Sequence, residues 1–234
     1  MKYSGWPVVE LCIAGERLRF EQDNGSMHVG TSVWPCSLLL AKWMERQTLQ
    51  LRNTQDDHQR FCLEIMGKRG VELGTGCGVA GLALALLGMN VLLTDIPAVL
   101  PALKRNVKKN LLATSLAMAG KADCKAGKVK IGQLCWGNMK QIEATKPPFD
   151  YIIAADVVYL ENTVEPLLST IHSLAGPDTV ILLGYQIRSP EAHELFWRLC
   201  PEKFVVKKVP RDQLDPDYAF EEADVYILQK KCDL

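Results

Sequence analysis

The 234-residue sequence has no excess of either charge, since 27 Lys and Arg balance 27 Asp and Glu. An obligate nucleic-acid binder needs a basic surplus to neutralise phosphates, so this balance argues against one. Paired cysteines are missing too. The eight cysteines are scattered from Cys12 to Cys232, none in C-x-x-C spacing, and none of the four histidines sits at finger spacing from a cysteine pair. Such a pattern reads as reduced thiols rather than a disulfide framework or a zinc site. The start, MKYSGWPVVELC, lacks the apolar core of a secretory signal. The longest apolar run, GVAGLALALLGMNVLL, is broken by Gly88 and Asn90 and soon meets Asp95, so it is too short to span a bilayer. The expectation is a monomeric cytoplasmic protein, with the nucleus as a second compartment and no membrane partner.

What is present fits one globular unit. Hydrophobic residues make up 48% and charged residues 23%, enough to fill a real core. A single domain over residues 1–234 is expected, with residues 1–33 an N-terminal hairpin extension and 34–234 the core. VVELCIAGERLRFEQ turns near Ala14-Gly15 and reads as a hairpin. A helix is predicted from Pro35, because proline suits a first turn. The polar stretch from Thr48 to Gln59 reads as a loop or ragged helix end. From Gly70 strands and helices alternate: GVELG, NVLLTD, GKVKIGQLCWG, FDYIIAAD and DTVILLGYQ are strands. Between them lie GVAGLALALLGM, PAVLPALKRNVKKNL and Thr163 to Leu174 as helices, with SPEAHELFWRLC as the last. That alternation means an α/β architecture, a mostly parallel, doubly wound sheet with helices on both faces. FVVKKV and DVYILQKK close the chain with no helix between them, so an antiparallel pair is expected at the sheet edge.

VELGTGCGVAG carries two overlapping signatures. Gly76 to Gly81 fits the dinucleotide pattern G-x-G-x-x-G, while Glu72 to Gly78 fits the acid-x-G-x-G-x-G loop of methyltransferases. The following acid separates them. A ribose-binding acid belongs about 20 residues beyond the loop's opening glycine. Asp95 meets that spacing from Gly74 and lies too close to Gly81. No G-K-[ST] follows, which excludes a P-loop. Glu72 at the tip of its strand can accept hydrogen bonds from a ligand amine or from loop backbone.

Ligands of open α/β sheets bind beyond the carboxyl ends of the strands, where Glu72, Asp95 and Asp156 all fall. Each has a plainer reading. Asp95 and Asp156 can serve as helix caps, and Tyr159 can be a core aromatic. Trp34 and Trp136 are either core or flat surfaces for an adenine or a cation. Trp6, Trp43 and Trp197 read as packing residues, and the basic run Lys104 to Asn110 as a solvated helix face.

ELGTGCGVAGL, LLTD, QLCWG and AADVVYLEN, in this order, resemble the non-SET seven-β-strand protein-lysine methyltransferases. Within that family the chain looks like the methyltransferase-like enzymes that modify Hsp70 chaperones, the valosin-containing protein ATPase or elongation factor 1A. The resemblance runs from about Leu18 to Lys230. It implies a Rossmann-like seven-stranded fold and S-adenosylmethionine as cofactor. It implies cofactor contacts at Trp34, Gly74, Thr75, Gly76, Asp95, Trp136, Ala155 and Tyr159, and a D-x-x-Y pair at Asp156 and Tyr159. It also implies a protein substrate such as a chaperone, an ATPase or a translation factor. Two departures bear on substrate choice. The family's VWDA is Val33-Trp34-Pro35-Cys36 here, and the inserts around Asn53–Gln59 and Thr114–Gly127 are long. Asp156 is expected to orient the incoming lysine amine and Tyr159 to wall its channel. The alternatives are a methyltransferase for a small molecule or nucleic acid, against which the absence of N/D-P-P-Y/F counts, and a non-catalytic cofactor-binding scaffold.

Overall fold

The alternation in the sequence becomes one seven-stranded sheet in the computed structural model, which describes residues 5–50, 64–118, 126–220 and 222–231. A hairpin of β1 (Val8–Ile13) and β2 (Glu16–Glu21) precedes α1 (Pro35–Gln50). Then come β3 (Arg69–Leu73), α2 (Val79–Leu86), β4 (Asn90–Asp95), α3 (Leu100–Met118), β5 (Val129–Gln133) and α4 (Met139–Ala144). The chain continues through β6 (Phe149–Ala155), α5 (Glu161–Leu174), β7 (Ala175–Tyr185), α6 (Pro190–Lys203), β8 (Phe204–Lys208) and β9 (Asp224–Lys230). The sheet order is β5-β4-β3-β6-β7-β9-β8. From β5 to β7 the strands run parallel, and β9 lies antiparallel between β7 and β8.

The pleat sends successive side chains to opposite faces, and that period of two divides the core. Tyr151, Ile153 and Leu182 pack with α1, α2 and α3 on one face. Ile152, Ala154, Ile181 and Leu183 pack with α4, α5 and α6 on the other. The order also locates the crevice. The chain builds outward from β3 through β4 to β5, then returns with β6 on the other side of β3. At such a reversal the loops leaving the two strands part, and a ligand space opens beyond their carboxyl ends.

The structure revises three of the expected boundaries and adds a helix. β5 stops at Gln133, so Leu134 to Gly137 form a turn rather than the end of a strand. β7 begins at Ala175, three residues before the expected Asp178. The short helix α4 was not foreseen; the Asn138 side chain caps it by accepting from the Gln141 N–H. α1 runs to Gln50, whereas the remaining loop residues to Gln59, and with them the insert at Asn53–Gln59, lie outside the described residues. Half of the second insert, residues 119–125, is outside them as well, after α3 has taken its first five residues. Among the described residues no helix is long and apolar enough to cross a membrane.

The basic run on α3 does more than face solvent. Its buried stripe passes through Leu103, Asn106, Val107 and Asn110, leaving Leu111 exposed. Asn110 accepts from the Arg19 N–H and donates to the Arg19 carbonyl, both at 2.8 Å. Asn106 does the same for Glu21 at 2.9 and 3.1 Å. Four residues along a helix rise about 6 Å and two along a strand about 6.7 Å, so the two amides continue the ladder on the open edge of β2. The spacing closes an edge that would otherwise be free to pair. Arg105 and Lys109 add ion pairs to the Glu21 carboxylate. Asn106→Ala, which leaves the Glu21 N–H unpartnered and the Glu21 carbonyl with only the Cys77 thiol at 3.9 Å, is expected to cost about 2 kcal/mol of stability by urea unfolding. A loss below about 0.5 kcal/mol would show that water replaces the amide at no penalty.

Candidate active site

The loop after β3 is built on left-handed backbone. Gly74, Gly76 and Gly78 have φ of 60°, 57° and 88°, a region closed to most side chains. Space as well as torsion restricts all three, a Cβ on Gly78 lying 3.0 Å from Leu103. A Cβ on Gly74 would lie 3.1 Å from the Trp136 ring and 3.2 Å from Val157. One on Gly76 would lie 2.8 Å from the Gly30 carbonyl oxygen. The loop is thus sandwiched between the turn after β5 and the segment that follows the hairpin, and its backbone is bare toward the crevice.

Two carboxylates hold it. Glu72 points away from Val71 and Leu73, toward α2, where its Oε2 accepts from the Thr75 hydroxyl and, at 3.0 Å, from the Gly81 N–H. Gly81 is what lets it in, because a Cβ there would sit 2.4 Å from that oxygen. Burial pushes the Glu72 carboxyl up to about 8, with the two hydrogen bonds opposing it. Asp95 grips the loop from the other side, its Oδ2 accepting from the Gly76 N–H at 2.8 Å and its Oδ1 from the Ile96 N–H at 2.8 Å. Burial raises its pKa as well, against the pull of those backbone N–H groups.

The acid ending β6 is the most constrained of the three. Asp156 is itself left-handed, at φ 59°, and its N–H continues the sheet by donating to the Gly184 carbonyl at 2.9 Å. Its side chain is 2% exposed and fully engaged. Arg188, just beyond β7, donates from Nε to Oδ1 and from Nη2 to Oδ2, both at 2.9 Å. The Cys36 N–H in the first turn of α1 donates to Oδ2 at 3.3 Å. The same guanidinium lies 4.7 Å from the centre of the Trp34 ring, in cation–π range. The Trp34 indole N–H is fixed on the Val29 carbonyl at 2.9 Å.

These parts surround one cleft of about 820 Å³, within the range of pockets that enclose a small ligand. Trp34, Gly74, Thr75, Gly76, Asp95, Trp136, Asp156 and Tyr159 all line it. Two other expected residues do not. Glu72 supports the glycine loop from behind, and Ala155 ends β6 packed toward the core of α1 and α2. Arg188 and His28 line the cleft and were missed from the sequence. Applying the strand-end rule to DTVILLGYQ would have led to Gln186–Arg188, whereas no comparable signal marks His28. Burial, and behind it the Asp95 charge, raises the Tyr159 phenol, which therefore stays protonated at neutral pH. Among the described residues no group of three acids, histidines or cysteines is placed to hold a metal ion.

Comparison with known proteins places the chain among relatives of one family and fold. A family model described as lysine methyltransferase matches residues 13–202. Protein N-lysine methyltransferase METTL21A of Danio rerio is 32% identical over 203 residues, covering 87% of this chain and 81% of that protein. EEF1A lysine methyltransferase 3 of Mus musculus is 30% identical over 204 residues, covering 86% and 76%. Among solved structures, the T. Thermophilus 16S rRNA methyltransferase RsmC, in complex with AdoMet and guanosine, shares the fold. Its TM-score is 0.58 at 20% identity, over 96% of this chain and 50% of that one.

Proposed function

The chain belongs to the lysine methyltransferase family, as an S-adenosylmethionine-dependent protein-lysine N-methyltransferase, and we propose that its cleft holds the donor along the glycine loop while the substrate lysine enters past Trp34 and Tyr159. One observation carries this division: the bare glycine backbone and Asp95 lie in the same cleft as Trp34, Asp156 and Tyr159. The residues fit the donor. The tight, glycine-built loop at Gly74 and Gly76 lines the cleft, Asp95 offers a carboxylate for a ribose diol, and the Trp136 ring lies over Gly74 as a surface for an adenine.

When bound, S-adenosylmethionine supplies an electrophilic methyl on a sulfonium, so the protein's contribution is alignment and electrostatics. A lysine amine must arrive neutral and in line. Its lone pair forms the nitrogen–carbon bond as the carbon–sulfur bond breaks, and the proton given up beforehand goes to water. Asp156 and Tyr159 shape this approach without serving as strong bases. Both oxygens of Asp156 are already bound by Arg188, and the Tyr159 phenol keeps its proton. Desolvation in the channel and the adjacent sulfonium both lower the pKa of the entering amine.

The mouth supports a protein substrate. Met27, Val29, Ile96 and Leu160 line the cleft and are exposed, Met27 to 95%, with Ile187 next to Arg188 also exposed. Such an apolar collar suits a surface that presents a lysine among apolar neighbours. A translation factor is the first substrate to try, given the relative that acts on EEF1A, followed by chaperones and ATPases. Incubation with radiolabelled S-adenosylmethionine and a cell extract, then acid hydrolysis of the labelled band, is expected to yield methyl-lysine. Met27→Glu with Leu160→Glu is expected to raise KM for that protein about tenfold with donor affinity unchanged. Label recovered in RNA or in small molecules alone would refute the reading.

A further inference from the structure

The fork from Arg188 to Asp156 is the strongest polar contact in the cleft, and transfer itself does not call for it. A carboxylate beside the lysine channel, left alone, would hold the entering side chain as an ammonium, the form that cannot accept a methyl. Here the carboxylate is 2% exposed and matched by a bidentate guanidinium, a planar pairing that lysine cannot reproduce. The guanidinium is in turn fixed over the Trp34 ring.

We propose that Arg188 is a positioning residue for the lysine amine. By locking Asp156 in an ion pair, it removes the charge that would capture an ammonium and leaves the carboxylate edge only a weak acceptor for a neutral amine. The inference rests on the lysine methyltransferase reading of this cleft. Other charged or titratable groups face the pair. Cys36 comes from α1, Glu222 from the approach to β9, Asp224 from its first position, and Tyr159, Asp95 and His28 from the cleft. None substitutes for Arg188. Glu222 accepts from the Gln186 amide at 2.6 Å, Asp224 pairs with Lys208 at 2.7 Å, and the thiol of Cys36 and the phenol of Tyr159 stay protonated.

The test is the pH dependence of methyl transfer to the labelled protein of the extract, at saturating donor. Arg188→Met is expected to move the rising limb of kcat up by about one pH unit, making transfer about tenfold slower below it. Arg188→Lys, which keeps a charge without the fork, is expected to shift it less. Asp156→Asn combined with Arg188→Met removes both charges and is expected to bring the limb back. Calorimetry gives a readout independent of turnover. In Arg188→Met the uncompensated carboxylate is expected to favour S-adenosylmethionine over its thioether product about threefold more than in the parent, and the double variant is expected to lose that preference. An unmoved limb in Arg188→Met and Arg188→Lys, whatever their rates, would overturn the proposal while leaving the lysine reading intact. Faster transfer at neutral pH would do so too, marking Arg188 as a plug. No methyl-lysine from the unsubstituted protein would overturn both.

Discussion

Asp95→Ala is expected to weaken S-adenosylmethionine binding about a hundredfold or more, because two charge-assisted hydrogen bonds to a ribose diol contribute about 1.5–3 kcal/mol each. The residue has two tasks and the substitution removes both. Its carboxylate already accepts the Gly76 and Ile96 N–H groups at 2.8 Å each, so the loop itself loses an anchor. Thermal unfolding of the donor-free protein separates the two. Loss of the anchor lowers the melting temperature without ligand, whereas loss of the diol contact reduces the stabilisation that ligand adds. Asp95→Asn keeps one acceptor and most of the shape, and is expected to fall between parent and alanine in calorimetric affinity. Parent-like affinity in Asp95→Ala would refute the ribose role and leave the residue a loop anchor only.

Much of this site is legible in the sequence because it is built from strand ends. An acid or glycine run that stops a β-prone stretch in an alternating α/β chain must lie at the carboxyl edge of the sheet, and that alone gathers Gly74, Thr75, Gly76, Asp95 and Asp156. What escapes is contact across the topology. Arg188 meets Asp156 only because β7 lies beside β6, and nothing in GYQIRSP announces a partner in AADVVY. Asn106 and Asn110 escape for a related reason. In a run of lysines they look solvated, and only the arrival of β2 along α3 turns them inward. The short α4 has too few residues for a helical period to register. Glu72, by contrast, was readable. Between two buried residues of a strand it must face the opposite side, toward α2, and Gly81 marks where the helix leaves room for it.

That placement of Glu72 leads to the other large effect, on stability against pH. Its folded-state pKa is raised to about 8, against about 4.3 in an unfolded chain. Between those values the folded protein binds the extra proton, so this group's contribution is fully present below about pH 4.3 and is lost as pH rises through about 8. The slope approaches about 1.4 kcal/mol per pH unit, reaching on the order of 5 kcal/mol once the group is ionised in both states. Glu72→Gln keeps an oxygen for Thr75 and the Gly81 N–H but cannot ionise. Urea unfolding is expected to find it within about 1 kcal/mol of the parent at pH 5, and several kcal/mol more stable at pH 8.5. The same reasoning reaches function. A cationic donor brought to the other side of the glycine loop favours the carboxylate, so binding near pH 7 should release part of the proton on Glu72. Calorimetry in buffers of different ionisation enthalpy is expected to detect that release in the parent and to lose Glu72's share of it in Glu72→Gln. Parallel stability curves for the two proteins from pH 5 to pH 8.5 would mean that Glu72 does not carry the extra proton.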